Sequence, residues 1–483
     1  MRIRSISLVA AVLSVWVGGA ATRGQCSYDW LPGEGVPGLD GPVHALTTWD
    51  PDGAGPEREV LVAGGWFTAA GDMTAHGIVL WDGTSWHPLG SGMDGTVSAL
   101  TVYEGDLIAG GGFTTAGEVA AKHIARWDGT AWHPLGSGVN APVETLTVYN
   151  GDLIAGGWFT SAGDVSTSRI AAWDGASWRP LGSEVRFGAV YASSSYDGEL
   201  VIGGPFWTIG SVAVDHIARW NGTSWRSLAG GTGGYVYAMT VYENDLIAGG
   251  WFRMAGGVPA AYIARWDGTR WHPLGNGTGF TVYALTVYHG DLIAGGEFRT
   301  AGDVSASCVA RWDGTDWWPL GSGVDGGGDY GPAVYALTSY DEGLIVGGDF
   351  TTAGDHVAPY WARWGVVERD TDGDGVADDC DACPDSDRAA TIVIDGCDTG
   401  VANTMLGHEG CTMADRVAEC AEGARNHGVF VSRVAQLASA WRHRGLINIR
   451  QAAAIQRCAA RADIPRRHEH DEDHGRDGHG ERD

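Results

Sequence analysis

Between residues 282 and 323 the chain carries four short runs rich in Val, Ile, Leu, Tyr and Trp, separated by polar and glycine-containing segments. That composition and length predict four β-strands. The first and second runs meet at Tyr288-His289-Gly290-Asp291, and the third and fourth at Asp313-Gly314. Both pairs supply the positive φ that a tight hairpin turn needs. The other connections are longer, as from Arg299 to Ser307. Tight turns therefore alternate with long loops, and every long loop falls at one end of the sheet. Loops held on a rigid scaffold are where binding residues concentrate.

The unit recurs. Gly-Gly pairs closing the second run begin at Gly64, Gly110, Gly156, Gly203, Gly249, Gly295 and Gly347, spaced by 46, 46, 47, 46, 46 and 52 residues. Phe67, Phe113, Phe159, Phe206, Phe252, Phe298 and Phe350 follow them, and the third runs hold Trp81, Trp127, Trp173, Trp220, Trp266, Trp312 and Trp364. Four strands at this period predict an all-β fold, a seven-bladed β-propeller of four-stranded blades spanning residues 27–366. The Trp of the fourth run stands at Trp86, Trp132, Trp178, Trp225, Trp271 and Trp317 and is missing after Trp364. Trp30-Leu31-Pro32-Gly33 supplies a replacement, so residues near 30–33 are expected to complete the last blade. Large aromatic residues at these positions are expected to fill the wedges between blades, with the glycines letting a neighbouring aromatic approach.

One position escapes the repeat. Between Gly-Gly and Phe stand Trp66, Gly112, Trp158, Pro205, Trp251, Glu297 and Asp349, and just beyond it Trp207, Arg253 and Arg299 replace the usual Thr. A slot that ranges from Trp to Gly to Asp is not filling one packing role. These residues are the candidate ligand-binding set, aromatic platforms with charged groups on the loop-bearing rim; packing against adjacent loops is the alternative. His87, His133 and His272 share a position with Arg179, Arg226 and Trp318 and read as exposed and tolerant. Ser193-Ser194-Ser195 lacks the His and Asp context of a nucleophile. No His stands on the expected rim, which weighs against an enzyme.

The GG-x-F, A-R-W-D-G-T and W-x-P-L-G elements resemble kelch-type propellers, and also the repeats of a fungal cortical polarity marker and of assorted secreted bacterial proteins. The resemblance covers roughly 340 residues. It departs from kelch in its Ala-Gly-Asp loop and in the Asp-Gly turn before the last strand. Kelch-like folds host oxidases, lyases, isomerases and plain binding modules, so the resemblance implies the fold and leaves activity open.

Charge and processing signals narrow the partners. A formal net charge of −28 argues against nucleic acid and anionic lipid, which need basic faces. Arg2 and Arg4, the apolar Ile6 to Val17 and the small residues Gly19-Ala20-Ala21 make residues 1–21 a signal peptide. No later stretch suits membrane insertion, and the Cys26 context lacks the residues expected before a lipidated cysteine. Secretion, to the extracellular space or the periplasm, is the expectation.

Beyond Val366 the composition changes. Asp370, Asp372 and Asp374, Gly375, the Val376 carbonyl, Asp378 and Asp381 follow the spacing of an EF-hand-type loop. The stretch resembles a thrombospondin type 3 repeat, which implies calcium within a Cys-rich linker over 367–411. Cys380, Cys383, Cys397, Cys411, Cys420 and Cys458 suggest three disulfides in an exported chain, with a zinc site as the alternative. Cys308 reads as a lone exposed thiol. Residues 412–464 read as three short helices, with capping-box spacing at Thr412/Asp415 and Asn448/Gln451 and apolar Phe430, Val434, Leu437 and Trp441 at helical intervals. The tail 465–483, with His468, His470, His474 and His479, reads as disordered; weak transition-metal binding is its alternative. These features together suggest a secreted, calcium-binding propeller that binds an extracellular glycan or protein. A propeller enzyme is the rival reading.

Overall fold

Alternating apolar runs and Asp-Gly turns produce seven four-stranded antiparallel sheets among the described residues. The computed structural model describes residues 28–31, 38–53, 55, 58–328, 331–366, 386, 389–404, 411–422, 424–443 and 446–464. They fall in two compact units, Tyr28–Val367 and a second holding the described residues that follow. Residues 1–21, expected to be a signal peptide, Cys26, Asp370, Asp372, Asp374, Val376, Asp378, Asp381, Cys380, Cys383 and the tail 465–483 lie outside the described residues.

The sheets, numbered 1 to 7 along the chain, have first strands Val43–Trp49, Val97–Tyr103, Val143–Tyr149, Ala192–Tyr196, Tyr235–Tyr242, Val282–Tyr288 and Ala333–Tyr340. Sheet 1 shows the order of strands: Val43–Trp49, Val60–Gly65, Ile78–Trp81, Trp86–Pro88. In sheet 7 the outer place belongs to Tyr28–Trp30, which pairs antiparallel with Trp361–Val366. Trp30 lies opposite Trp364 with ring centroids 5.2 Å apart. The third- and fourth-strand tryptophans of the other six sheets pair in the same way at 5.0–5.5 Å. Trp30 therefore fills the place that Trp86 fills in sheet 1.

Neighbouring sheets are keyed together by small and large residues. A Cβ built on Gly64 would lie 2.6 Å from a methyl of Val97, the first-strand valine of the next sheet. The same approach, at 2.4–2.7 Å, recurs at Gly110, Gly156, Gly203, Gly249 and Gly295, and Gly347 of sheet 7 meets Val43 of sheet 1. The partner of these glycines is thus a β-branched residue, not the aromatic expected from sequence, because the first strands rather than the aromatic outer strands approach most closely. Further out, Trp132 donates its indole N–H to the Leu89 carbonyl at 2.9 Å, and Trp178, Trp225, Trp271 and Trp317 repeat the bond to the preceding sheet. All seven repeat phenylalanines are buried.

The turns behave as their residues dictate. Gly314 has φ +97° and the His289-Gly290 pair φ +49° and +82°. In the Asp-Gly turns at Asp82, Asp128, Asp174, Asp267 and Asp313 the carboxylate accepts amide hydrogens two and three residues on, as Asp82 does from Thr84 and Ser85 at 2.8 Å. In the next repeat the amide of Ala131, then the donors of Thr130 and His133, hold Asp128 well below the usual carboxylate range. His87, His133 and His272 reach the same acids at 2.6–2.7 Å, and Trp318 reaches Asp313 at 2.7 Å. The position tolerates His or Trp because either offers a donor to the turn. The long loops are ordered into two-stranded ribbons such as Thr115–Ala116 with Val119–Ala120.

In the second unit the helices are Met413–Glu422 (α1), His427–His443 (α2) and Ile449–Ala459 (α3). Asn448 and Gln451 form the expected capping box. Asp415 accepts from the Thr412 amide at 2.6 Å, and the Thr412 hydroxyl accepts from the Asp415 amide at 3.4 Å. Phe430, Val434 and Trp441 are buried. A hairpin, Thr391–Ile394 with Cys397–Ala402, turns at Asp395-Gly396 within the stretch expected to be linker. Its Ile392, Ile394 and Val401 share one core with the helices, so the packed unit reaches N-terminal to residue 412. Cys397 is bonded to Cys458, and Cys411 is also in a disulfide. Cys420 is a free thiol, which corrects its place among the expected disulfide cysteines: it sits on α1, its Sγ donating to the Arg416 carbonyl at 3.3 Å.

Candidate ligand-binding site

Six of the seven first strands begin with a β-bulge. The register shifts between Val43 and Ala45, Val97 and Ala99, Val143 and Thr145, Val236 and Ala238, Val282 and Ala284, and Val334 and Ala336. The extra residue leaves the ladder, and its side chain is re-aimed. Those residues are His44, Ser98, Glu144, Tyr237, Tyr283 and Tyr335, with Tyr191 at the same place in sheet 4. None was singled out from sequence. The signal existed, because the residue after the keying valine also departs from the repeat, as His, Ser and Glu in three sheets and Tyr in four.

Five of these side chains form an aromatic arc over five successive sheets. His44 stacks on Tyr335 at 5.2 Å, and Tyr335 meets Tyr283, Tyr283 meets Tyr237, and Tyr237 meets Tyr191 at 5.3–5.5 Å. Four of them, His44, Tyr191, Tyr237 and Tyr335, line a cavity of about 210 Å³, with Thr145 and Ser193 also in its walls. Ser193 and Thr145 are hydrogen-bonded to each other at 2.9 Å, which gives Ser193 a partner across the neighbouring sheet.

The rim residues proposed from sequence are exposed rather than packed between sheets: Trp66 by 70%, Trp158 by 40%, Trp207 by 56% and Trp251 by 51%. Trp158 lies 6.0 Å from Tyr191. Trp251 contacts Tyr235, Tyr235 contacts His216 and Tyr237, and His216 contacts Trp207, joining that pair of tryptophans to the arc. Trp66 is not joined to it; it lines a separate groove of about 360 Å³ with His76, Met93 and Asp94. Glu297 accepts a hydrogen bond from the Tyr283 hydroxyl at 3.2 Å. Asp349 accepts from the Gly328 amide at 3.1 Å and acts electrostatically on Tyr335 and His44. Arg253 is spent within its own loop: it donates to the Tyr262 hydroxyl at 2.7 Å and lies over that ring. Arg299 donates to Ser307 and lies 3.4 Å from Asp325.

Burial sets the protonation of the arc. It pushes the Tyr191 phenol up to about 12, aided by Tyr237 and Glu144, and raises Tyr237, Tyr283 and Tyr335 as well. Burial lowers His44, against the pull of Asp349, and raises Glu144, against a hydrogen bond from Trp158. At neutral pH the phenols are therefore donors and His44 is neutral.

Cys308 is fully buried, not exposed, with its Sγ 3.2 Å from the Pro332 carbonyl. Its position takes φ between +64° and +74° in all seven repeats, as Gly77, His123, Arg169, His216, Tyr262, Cys308 and Tyr360. Variety there reflects a shared backbone bend rather than solvent exposure. Among the described residues no group of three His, Cys, Asp or Glu side chains is placed to hold a metal. No helix among them is long and apolar enough to cross a membrane.

No family model matches the chain, and no curated protein matches it. Among solved structures it is similar to the computationally designed Ika8 protein, at 17% identity and TM-score 0.40, covering 70% of this chain and 100% of that one. A likeness at that TM-score carries no weight for fold or function.

Proposed function

We propose that the Tyr28–Val367 unit is a seven-bladed β-propeller of an exported protein and that its loop-bearing face binds an extracellular glycan. Support for the ring comes from the glycine–valine keying, which runs from sheet to sheet and returns from Gly347 to Val43. The observation that carries the binding reading is the exposure of Trp158, Trp207 and Trp251 beside the aromatic arc. Exposed indoles that packing does not require are suited to stacking on sugar rings. Tyrosine hydroxyls and Glu297 add hydrogen bonds of fixed direction.

Trp158→Ala and Trp251→Ala should each weaken glycan binding by about 1–2 kcal/mol, roughly tenfold, with the melting temperature unchanged. Trp66→Ala should weaken it less, since Trp66 stands in its own groove. Immobilised glycans probed with the wild type and these variants provide the measurement. Loss of several kcal/mol of stability in the first two variants would make them packing residues and remove the proposal. Capture of a surface protein but of no glycan would reassign the face to a protein partner. A second reading, a propeller enzyme on the same face, draws on the neutral His44 stacked against the protonated Tyr335 at the cavity wall. New reducing ends appearing in the glycan assay would establish it.

In the same reading the segment around Asp370, Asp372, Asp374, Val376, Asp378 and Asp381 holds calcium, supported by the spacing of its carboxylates. Calorimetry in chelator-cleaned buffer should register calcium binding to the wild type and none to the Asp372→Ala, Asp374→Ala double variant. A wild type that takes up no calcium would refute it.

A further inference from the structure

The net charge of −28 conceals one stretch of the opposite sign. Residues 424–464 contain seven arginines, no lysine and a single acid, Asp463. Six of those arginines, Arg425, Arg433, Arg442, Arg450, Arg457 and Arg461, are described and exposed. None of the six side chains forms an ion pair or hydrogen bond among the described residues, where Arg416 with Glu419 is the one arginine pair of the second unit. An arginine left in this way keeps all its N–H donors for an outside oxygen.

Three of them share a face. Arg457 stands two helical turns after Arg450 and Arg461 one turn further, so all three line one side of the helix over about 16 Å of its axis. Helical hydrogen bonds run on past the end of α3, from the Ala460 amide to the Gln456 carbonyl and from the Ala462 amide to the Cys458 carbonyl. They carry Arg461 into the same stripe. The opposite side of α3, with Ala452, Ile455, Cys458 and Ala459, is buried in the core. Ala453 and Ala454, between Arg450 and Arg457, are half-buried and too short to overhang the stripe. Guanidinium forks take carboxylates in paired hydrogen bonds, and a row of them suits anionic groups that repeat along a strand.

We propose that this face of α3 docks an acidic polysaccharide, a chain with a carboxylate on each sugar. It is a second site, independent of the propeller face. The aromatic residues of the stretch, Phe430 and Trp441, are buried, so nucleic-acid bases find no platform to stack on. A bilayer presents a broad plane of anionic headgroups, which the acidic remainder of the chain opposes. A single strand follows the stripe and avoids that repulsion, which salt screens within about 10 Å. Leu446 and Ile449 are exposed where α3 begins, but two aliphatic side chains supply little area for insertion into lipid.

The test uses the full chain, calorimetry in calcium-free buffer, and a galacturonic acid dodecamer beside its neutral methyl ester. The acid should bind roughly tenfold or more tightly than the ester, and added salt should erode the difference. In the Arg450→Gln, Arg457→Gln, Arg461→Gln variant the preference should vanish while the helical circular dichroism signal is unchanged. Arg450→Gln with Arg457→Gln should lower affinity for the acid roughly tenfold. Arg425→Gln with Arg433→Gln makes an equal change of charge, with Arg433 acting on Cys420 of α1, and should lower it by no more than about twofold. Equal losses in the two double variants would mean general attraction of a polyanion to a basic unit and would overturn the proposal. Should the glutamine substitutions unfold the helices, Arg450→Lys with Arg457→Lys keeps the charge but not the fork. Unchanged affinity in that variant would overturn the proposal as well. Binding to phosphatidylglycerol vesicles or to a single-stranded DNA dodecamer, with none to the galacturonic acid dodecamer, would reassign the face and overturn it. Trp158→Ala should leave affinity for the acid unchanged, so this site and the glycan reading of the propeller face fail separately.

Discussion

Replacing Trp30 by Ala should cost the Tyr28–Val367 unit about 3–5 kcal/mol of stability, read as a shift of its denaturant midpoint. Trp30 is 1% exposed and is the outer-strand partner of Trp364. Its loss leaves a cavity that also touches Gly321 and Gly354, whose positions approach the indole within 3.5 Å. Removing residues 28–31 altogether should do more. Trp361–Val366 would then present unpaired amides and carbonyls along its edge, and an open edge of that kind recruits other chains. Soluble aggregates in size-exclusion chromatography are the expected product. A truncated protein that stays monomeric with its original midpoint would show that Tyr28–Trp30 contributes nothing, against the register described above.

The second large effect concerns Cys397 and Cys458. Their disulfide closes a separation of 61 residues, and in the chain-entropy account such a closure stabilises by about 4 kcal/mol. Cys458 lies in α3 and Cys397 opens the second strand of the hairpin, so the bond ties the two halves of one small core. A core of this size leaves little margin without a staple. The Cys397→Ser, Cys458→Ser double variant should therefore lose most helical signal near physiological temperature. All three helices among the described residues lie in this unit, so far-ultraviolet circular dichroism reports on it directly. An unchanged thermal transition of the helical signal would count against the staple.

The sheets were legible because two periods coincide in the chain. Alternation marks each strand, and Gly-Gly, Asp-Gly and Trp recur at a fixed interval that marks each sheet. Even the strand supplied by the N-terminus could be read, from one missing tryptophan. The aromatic arc is hard to see in the sequence, because four of its five residues sit on bulges. A bulged residue breaks the alternation that announces a strand, so His44 and Tyr283 read as ordinary irregularity within a strand. Cys308 differs from its expectation for a related reason: chemical variety at that position suggests solvent exposure, whereas the shared constraint there is a positive φ. The 391–402 hairpin is announced by Thr391-Ile392-Val393-Ile394 and Asp395-Gly396, but it lies between acidic and cysteine-bearing segments whose composition reads as linker.

The pairing of Tyr28 with Val366 has a temporal consequence. A polypeptide emerges from the ribosome N-terminus first, and local units form as they emerge. Sheets 1 to 6 can each assemble from one contiguous stretch, so each can close soon after its last residue appears. Sheet 7 cannot, because its outer strand is among the first described residues to be made and its other three are made last. Tyr28–Trp30 must wait through the synthesis of every other sheet, with a tryptophan and an unpaired backbone still unsheltered. Completion of that sheet is a long-range, slow event compared with the hairpins that precede it. Whatever escorts the young chain has its longest task at its oldest residues.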